Sequence, residues 1–353
     1  MAQLKGFRTL KGAIACPPFT NGPYTMSEFV AFTGGIGAVN TDGSVLYVSQ
    51  LFGNDANDGK SWLSAKSTIQ AAVTAAPGNQ VGQSSNLTQG DVILVGPGKY
   101  QENVRVNGRT SASGVVTVAG HDGIKIIAIV PGWETRIRVN DATTKLALVG
   151  GGVHTDQTAT GFVIMARSVE ISGFCIDGDS AAYCGIYAGD GVRSGFRTGS
   201  GGNASSLYVH DCLFQQGGYG VILDGAGSFC RIQNNTFQQL TYAGVYNCPG
   251  AGRQTEKPQI LGNIFVLANA GLGVDMYSLS AADSKSMLIE GNTFIDGPSA
   301  TGTYGIRTYG AGIHTIAGNH FGCATPMSIQ TGDFTSGNYE SNTGGTPSYV
   351  TEA

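Results

Sequence analysis

The residues best suited to chemistry are acids spread through the second half of the chain. Asp177 and Asp179 follow one apolar stretch, and Asp190, Asp224 and Asp275 recur further on. Glycoside hydrolysis needs two carboxylates about 5–9 Å apart, and neighbouring turns of a repeating fold can supply them. Elimination would instead draw on a basic group such as Arg231 or Arg307 beside a carboxylate-bound cation. If the chain is an enzyme, Asp224, Asp275, Asp177 and Arg307 are its candidate catalytic residues. The competing explanation makes these acids solvated turns or the ends of residue columns.

Other motifs lead away from chemistry. Gly59-Lys60-Ser61 lies one residue too far from Gly53 for a phosphate-cradling loop. Asp55-Ala56-Asn57-Asp58-Gly59 lacks the closing glutamate of a calcium loop and reads as a turn held by Asx side chains. His210-Asp211 reads as a polar turn. Seven cysteines, an odd number without a CxxC pair, fit buried free thiols better than disulfides or zinc. No metal and no cofactor is expected.

The elements that must position these residues form a repeat. Six segments run apolar-x-x-x-x-apolar: Ile171–Ile176, Val209–Phe214, Ile232–Phe237, Ile260–Phe265, Ile289–Phe294 and Ile316–Phe321. Their starts step by 38, 23, 28, 29 and 27 residues, too far apart for the hairpins of a sandwich or barrel. The sixth position is Phe214, Phe237, Phe265, Phe294 and Phe321 in turn, and the fourth is Asn235, Asn263, Asn292 and Asn319 in four successive units. A second short strand follows each unit behind a glycine: Gly185-Ile186, Gly220-Val221, Gly244-Val245, Gly273-Val274 and Gly305-Ile306.

Such a pattern describes coils stacked about 4.8 Å apart with like residues in columns. Phe then fills the interior, and Asn takes a left-handed corner while its amide bonds the coils above and below. The residue after each second-strand apolar position points outward, which places Tyr187, Tyr246, Asp275 and Arg307 on one outer face, with Tyr277 and Tyr309 two residues further on. Asp275 and Arg307, on adjacent coils, can pair. The four tyrosines suit a subunit interface or sugar stacking.

Composition agrees. Glycine supplies 55 of 353 residues, more than twice the usual ~7 %. Charged residues make up 12 %, the net charge is −4, and no long apolar run is present. These values argue against nucleic-acid binding and against a membrane span. Ser67-Thr68-Ile69-Gln70 predicts a short helix with Ser67 as N-cap and a stop at Pro77-Gly78. The expected organisation is an irregular arm over 1–45, a helix-bearing segment with the first coils over 46–110, a β-helix over 111–340 and a tail over 341–353.

The run from Tyr47 to Val104, with Gly53-Asn54-Asp55, Ser67-Thr68-Ile69-Gln70-Ala71-Ala72 and Asp91-Val92-Ile93-Leu94-Val95-Gly96-Pro97-Gly98-Lys99-Tyr100, resembles the opening of right-handed parallel β-helix proteins of the pectate-lyase-like group. That group includes bacteriophage spikes, and the Ile-x-Gly-Asn-x-Phe coils extend the resemblance to about residue 330. It implies an all-β, single-stranded right-handed solenoid with a short helix capping its N-terminal end, and homotrimers. The group's galacturonase hallmarks, Gly-His-Gly, Arg-Ile-Lys and an Asp-Asp pair, do not occur. The expected protein is a structural component of a tailed-phage virion surface, a capsid decoration or tail spike. It is made in the host cytoplasm without a signal peptide, is joined to other virion proteins through residues 1–45, and binds surface polysaccharide. The alternative is a polysaccharide-degrading tailspike.

Overall fold

The computed structural model describes residues 43–78, 80, 90–108, 110–112, 115–139, 145–147, 157–189, 204–224, 228–247, 255–268, 271–276, 284–297, 303–308, 314–329, 333–340 and 348–349. These residues wind as a right-handed parallel β-helix with three faces. The first face starts at Val45–Val48, pairs with Val92–Val95, and continues coil by coil to Phe334–Ser336. The second runs from Gly98–Glu102 to Tyr339–Glu340. The third runs from Val104–Asn107 to Thr325–Ser328. Pairing along all three faces is parallel.

The register stacks the repeat as its spacing requires. Leu46, Ile93, Ile126, Ile171, Val209, Ile232, Ile260, Ile289 and Ile316 form one interior column. Phe214, Phe237, Phe265, Phe294 and Phe321 form another, with ring centroids 4.7–5.0 Å apart and planes within 10° of parallel. Tyr100, Ile137 and Ile176 fill the same column in the earlier coils. The recurring glycine follows from this stack. A Cβ on Gly185, Gly220, Gly244, Gly273 or Gly305 would lie 2.5–2.7 Å from a ring carbon of the phenylalanine one coil further on.

The asparagine column is real, but the left-handed corner falls one residue earlier than expected. Positive φ values of 54° to 79° occur at Gly173, Asp211, Asn234, Gly262, Gly291, Gly318 and Gly337. This frees each following asparagine to turn its amide into the buried corner. The backbone N–H and Nδ2 of Asn263 both donate to Oδ1 of Asn292, each at 2.9 Å, while Nδ2 also donates to the Ile232 carbonyl at 2.9 Å. Asn235, Asn292 and Asn319 repeat the arrangement, and Asn338 adds a fifth rung.

A helix, Ile69–Ala75, closes the N-terminal end with Ile69, Ala72 and Val73 in the core. Its N-cap is Thr68 rather than Ser67: the Thr68 hydroxyl accepts from the Ala71 N–H at 3.1 Å. Gln70 does not close a capping box. The Glu102 carboxylate instead accepts from the Ile69 and Gln70 N–H groups, both at 2.9 Å, meeting donors that a helix start leaves orphaned. The loop 53–66 lies along the otherwise open edge of the first strand, with Tyr47 N donating to Gly59 O and Lys66 N to Tyr47 O.

Candidate functional site

The site is on the outer side of the third face. One outward column runs Val163, Tyr187, Ile222, Tyr246, Asp275, Arg307. A flanking outward column carries Cys184, Tyr219, Ala243, Leu272 and Tyr304. At its N-terminal end this surface is buried, and Val163, Met165, Cys184, Tyr187, Tyr219, Ile222 and Ala243 form an apolar cluster separate from the interior core. Tyr187 was expected to be an exposed stacking residue, but it is fully buried. Its hydroxyl donates to Asp224 Oδ2 at 2.6 Å, and Gly189 leaves room for it, since a Cβ there would meet the phenol oxygen at 2.6 Å.

Further along, the surface opens. Tyr219 lies against both Tyr242 and Tyr246, with centroids 5.2 and 5.1 Å apart. Tyr246 is partly buried and Tyr242 is exposed. On the next coils Arg307 grips Asp275 with two parallel bonds, Nε to Oδ1 at 3.0 Å and Nη2 to Oδ2 at 2.7 Å. The result is a tyrosine shelf ending at a bidentate Asp–Arg pair. Tyr277, Tyr309 and Asp190, together with the side chain of Asp179, lie outside the described residues, as do Cys16 and Cys248.

The remaining candidate acids do not converge on the shelf. Asp177 is buried on the second face and pairs with Arg136. Asp224 is two coils before Asp275, about 10 Å along the axis. Arg231 belongs to the first face, 5.6 Å from the Tyr208 ring centroid. A retaining or inverting hydrolase needs one carboxyl to give a proton and another to attack or activate water across the same bond. Here both Asp275 oxygens are tied to a guanidinium, and Asp224 accepts a buried phenol. Among the described residues no group of three metal-ligating side chains gathers.

A second polar cluster, on the first face, was only partly visible in the sequence. His210 Nδ1 is 2.7 Å from Asp211 and its Nε2 is 3.2 Å from Glu170, whose other oxygen is 3.1 Å from Lys125. Tyr208 stacks on His210 at 4.2 Å and its hydroxyl donates to Gln233 at 3.1 Å. Burial alone would lower the His210 pKa, but its hydrogen bonds to Glu170 and Asp211 hold it above the ordinary value. Burial would raise Glu170, but His210 and Lys125 pull it down. The repeat register could have revealed Glu170, which sits directly beneath Tyr208 in the same outward column.

The other motifs resolve as structure. Asn54 Oδ1 accepts from Ala56 N at 2.9 Å and Asp58 Oδ1 from Lys60 N at 3.0 Å, as Asx turns do. The Asp55 carboxylate accepts from the Ser67 and Thr68 N–H groups at 2.9 Å. The five described cysteines are free and buried. Burial pushes Cys175 up to about 11 and Cys212, Cys230 and Cys323 to about 12, which leaves them inert as nucleophiles.

Residues 194–343 match the sequence model of a family described as the right handed beta helix region. The chain is a right-handed parallel β-helix. No curated protein matches it. Among solved structures it is similar to the tailspike protein of E. coli bacteriophage HK620 in complex with pentasaccharide, at 12 % identity and a TM-score of 0.42 over 72 % of this chain and 47 % of that one. It is also similar to XylC in complex with xylose, at 10 % identity and a TM-score of 0.46 over 84 % and 68 %. The chain thus spans less than half the length of the phage tailspike. No helix among the described residues is long and apolar enough to cross a membrane.

Proposed function

We propose that this chain is a structural, glycan-binding β-helix of a tailed-phage virion surface, holding polysaccharide on its third face without cleaving it. The observation that carries this reading is the shelf of exposed Tyr242 and partly buried Tyr246, backed by the buried Tyr219 and ending at the Asp275–Arg307 pair. Aromatic faces stack on the apolar side of a pyranose, and a fixed carboxylate beside a guanidinium offers an acceptor and a donor to neighbouring hydroxyls. The commitment of Asp177, Asp224 and Asp275 to other partners supports binding over hydrolysis.

Residues 1–45 attach the solenoid to other virion proteins. Copies associate as homotrimers through the second face, where the outward residues Leu213, Thr236, Ile264, Thr293, His320 and Tyr339 carry no acidic or lysine or arginine charge, and Ile264 and Tyr339 are exposed.

Purified protein is titrated with host surface polysaccharide, and the mixture is assayed for new reducing ends and unsaturated uronates. Binding is expected without product, and Tyr246→Ala should weaken it about tenfold, the worth of one aromatic contact. Product that disappears in Asp224→Ala or Asp275→Ala establishes the degrading tailspike instead. Incorporation into particles of a variant lacking residues 1–45 refutes the anchor.

A further inference from the structure

We infer that the first face carries a second saccharide site, at Phe229, Arg231 and Lys257, that takes the carboxylate of a hexuronic acid; it is separate from the tyrosine shelf and goes beyond the reading above. Arg231 is exposed, and its guanidinium carbon lies 5.6 Å from the centroid of the Tyr208 ring. Tyr208 is itself fixed from two directions, by its stack on His210 at 4.2 Å and by its hydroxyl bond to Gln233 at 3.1 Å. His210 is in turn held by Glu170 and Asp211. A chain of contacts thus orients one cation, although an arginine needed only for solubility would serve equally well unrestrained. A guanidinium over an aromatic ring keeps the in-plane N–H groups of its fork available, and that fork matches a carboxylate. Among the described residues no carboxylate pairs with Arg231 or with Lys257.

The second observation is conformational. The corner leading into this face has a left-handed residue in each of five coils, Ser168, Ser206, Phe229, Lys257 and Ser286, with φ of 47° to 60°. That conformation is an outlier for a bulky side chain, yet Phe229 holds it at 57° while 54 % exposed. Burial does not account for a phenylalanine there. Local strain kept at an exposed position is a property of binding sites. The Phe229 N–H donates to the Glu256 carbonyl at 2.7 Å, which sets Lys257 beside Phe229 on the next coil.

Arg231 is two residues along from Phe229, with Gln259 next to it on the following coil and Gln233 further along its own strand. Two residues of extended chain cover about 7 Å and two coil spacings about 10 Å, room for one pyranose with its substituents. The sugar ring lies against Phe229, its carboxylate reaches Arg231 with Lys257 beside it, and the glutamine amides meet hydroxyls. A flat aromatic face next to the cations suits a sugar acid better than an acidic peptide. On this face the other charges within one coil of Arg231 are Glu256, partly buried at the corner, and the His210–Asp211 pair at the far end of the neighbouring strand. Two cations therefore outweigh the single acid at the site.

The full chain is titrated with a trimer of hexuronic acid, a neutral trimer of hexoses and a short polyglutamate peptide. Wild type should bind the hexuronate more tightly than the peptide, and raising salt from about 0.05 to about 0.5 M should weaken that binding severalfold. Arg231→Gln should weaken it about tenfold and Lys257→Gln about threefold, while both leave the neutral trimer's affinity unchanged. Phe229→Asn should weaken it about fivefold with a melting temperature no lower than wild type, because asparagine accepts the left-handed conformation. A melting temperature within a few degrees of wild type checks the other variants, and Lys257→Gln serves where Arg231→Gln fails that check. No binding of hexuronate, an affinity unchanged in Arg231→Gln, or tighter binding of the peptide each overturns the inference. Hexuronate binding lost in Tyr246→Ala but kept in Arg231→Gln puts the acid on the third face, which overturns this site and leaves the glycan-binding reading intact. Hexuronate binding that Arg231→Gln weakens, with no binding that Tyr246→Ala weakens, removes the third-face reading and leaves this site standing.

Discussion

The coils from Val209 onward and the coils before residue 140 are built on one plan but held by different means. From Ile232 to Phe321 the later coils repeat the same two buried residues, an Asn and a Phe, while the Val209 coil has Cys212 in the Asn column. Each Asn bonds to the next Asn and each Phe stacks on the next Phe, so every rung is satisfied by its neighbour. The opening coils have Tyr100 and Ile137 in the Phe column. Their polar ends are met by carboxylates reaching from far along the chain. Asp91 accepts from Ser44 N and Gly78 N, both at 2.8 Å, and Glu102 accepts from the first turn of the helix. A solenoid interior can therefore be propagated by a column, but this end uses individual caps where no coil among the described residues precedes Val45–Val48 to supply partners.

The largest effect should come from the column. Asn292→Ala removes the acceptor of Asn263 N and Nδ2 and the donor to Ile260 and Asn319, leaving several buried groups unpaired. Unfolding in denaturant should show a loss of about 3–4 kcal/mol. Asn235→Ala, at the N-terminal end of the ladder, should cost less. Equal losses at both positions would mean that the additional side-chain bonds of Asn292 carry no weight.

Two glycines sharpen the contrast between steric and conformational demands. Gly273→Ala places a methyl 2.5 Å from the Phe294 ring and 2.6 Å from the Gly305 carbonyl, and should cost about 3 kcal/mol of overpacking. Gly291→Ala meets nothing within 4 Å and bears only the penalty of a φ of 65°, about 1 kcal/mol. Thermal melts of the two variants should rank them in that order; the reverse order would mean that the ring stack yields easily.

At the opening end, Glu102→Ala should cost about 2 kcal/mol by orphaning two helix N–H groups, less than the ladder because water can reach that rim. Hydrogen exchange at Ile69 and Gln70 would locate the damage. A loss exceeding that of Asn292→Ala would invert the comparison and make the cap, rather than the column, the critical element.

What the sequence disclosed follows the same division. The spacing of Ile, Asn and Phe gave the coil phase and the interior stack correctly, because a periodic signal survives loops of unequal length between its copies. The left-handed corner was assigned one residue late, since Asn and Gly alternate there and both tolerate that conformation. Glu102 and Asp55 as caps left no local trace, as their partners lie 33 and 12 residues away or nearly so. Pleat alternation correctly pointed Tyr187 outward, yet said nothing of its burial, because exposure depends on what packs outside the coil. The Asp275–Arg307 pair was legible for the opposite reason: both residues occupy equivalent positions on adjacent coils.

The smallest effect concerns the first-face cluster and depends on pH. His210 has a folded pKa above its ordinary 6.5, despite burial, through Glu170 and Asp211. Its contribution is therefore complete below about pH 6.5 and disappears as pH rises through the elevated folded value. Glu170, held below its ordinary 4.5 by His210 and Lys125 against the opposing effect of burial, contributes above that value and loses its contribution as pH falls. The pair should be worth about 1 kcal/mol between roughly pH 5 and 6.5, the scale of a partly exposed ion pair. His210→Gln should lower stability in that window and converge on wild type at pH 8 to 9, and should do so less in high salt. Parallel stability curves offset by a constant amount from pH 5 to 9 would show that His210 acts through its stack on Tyr208 and not through charge.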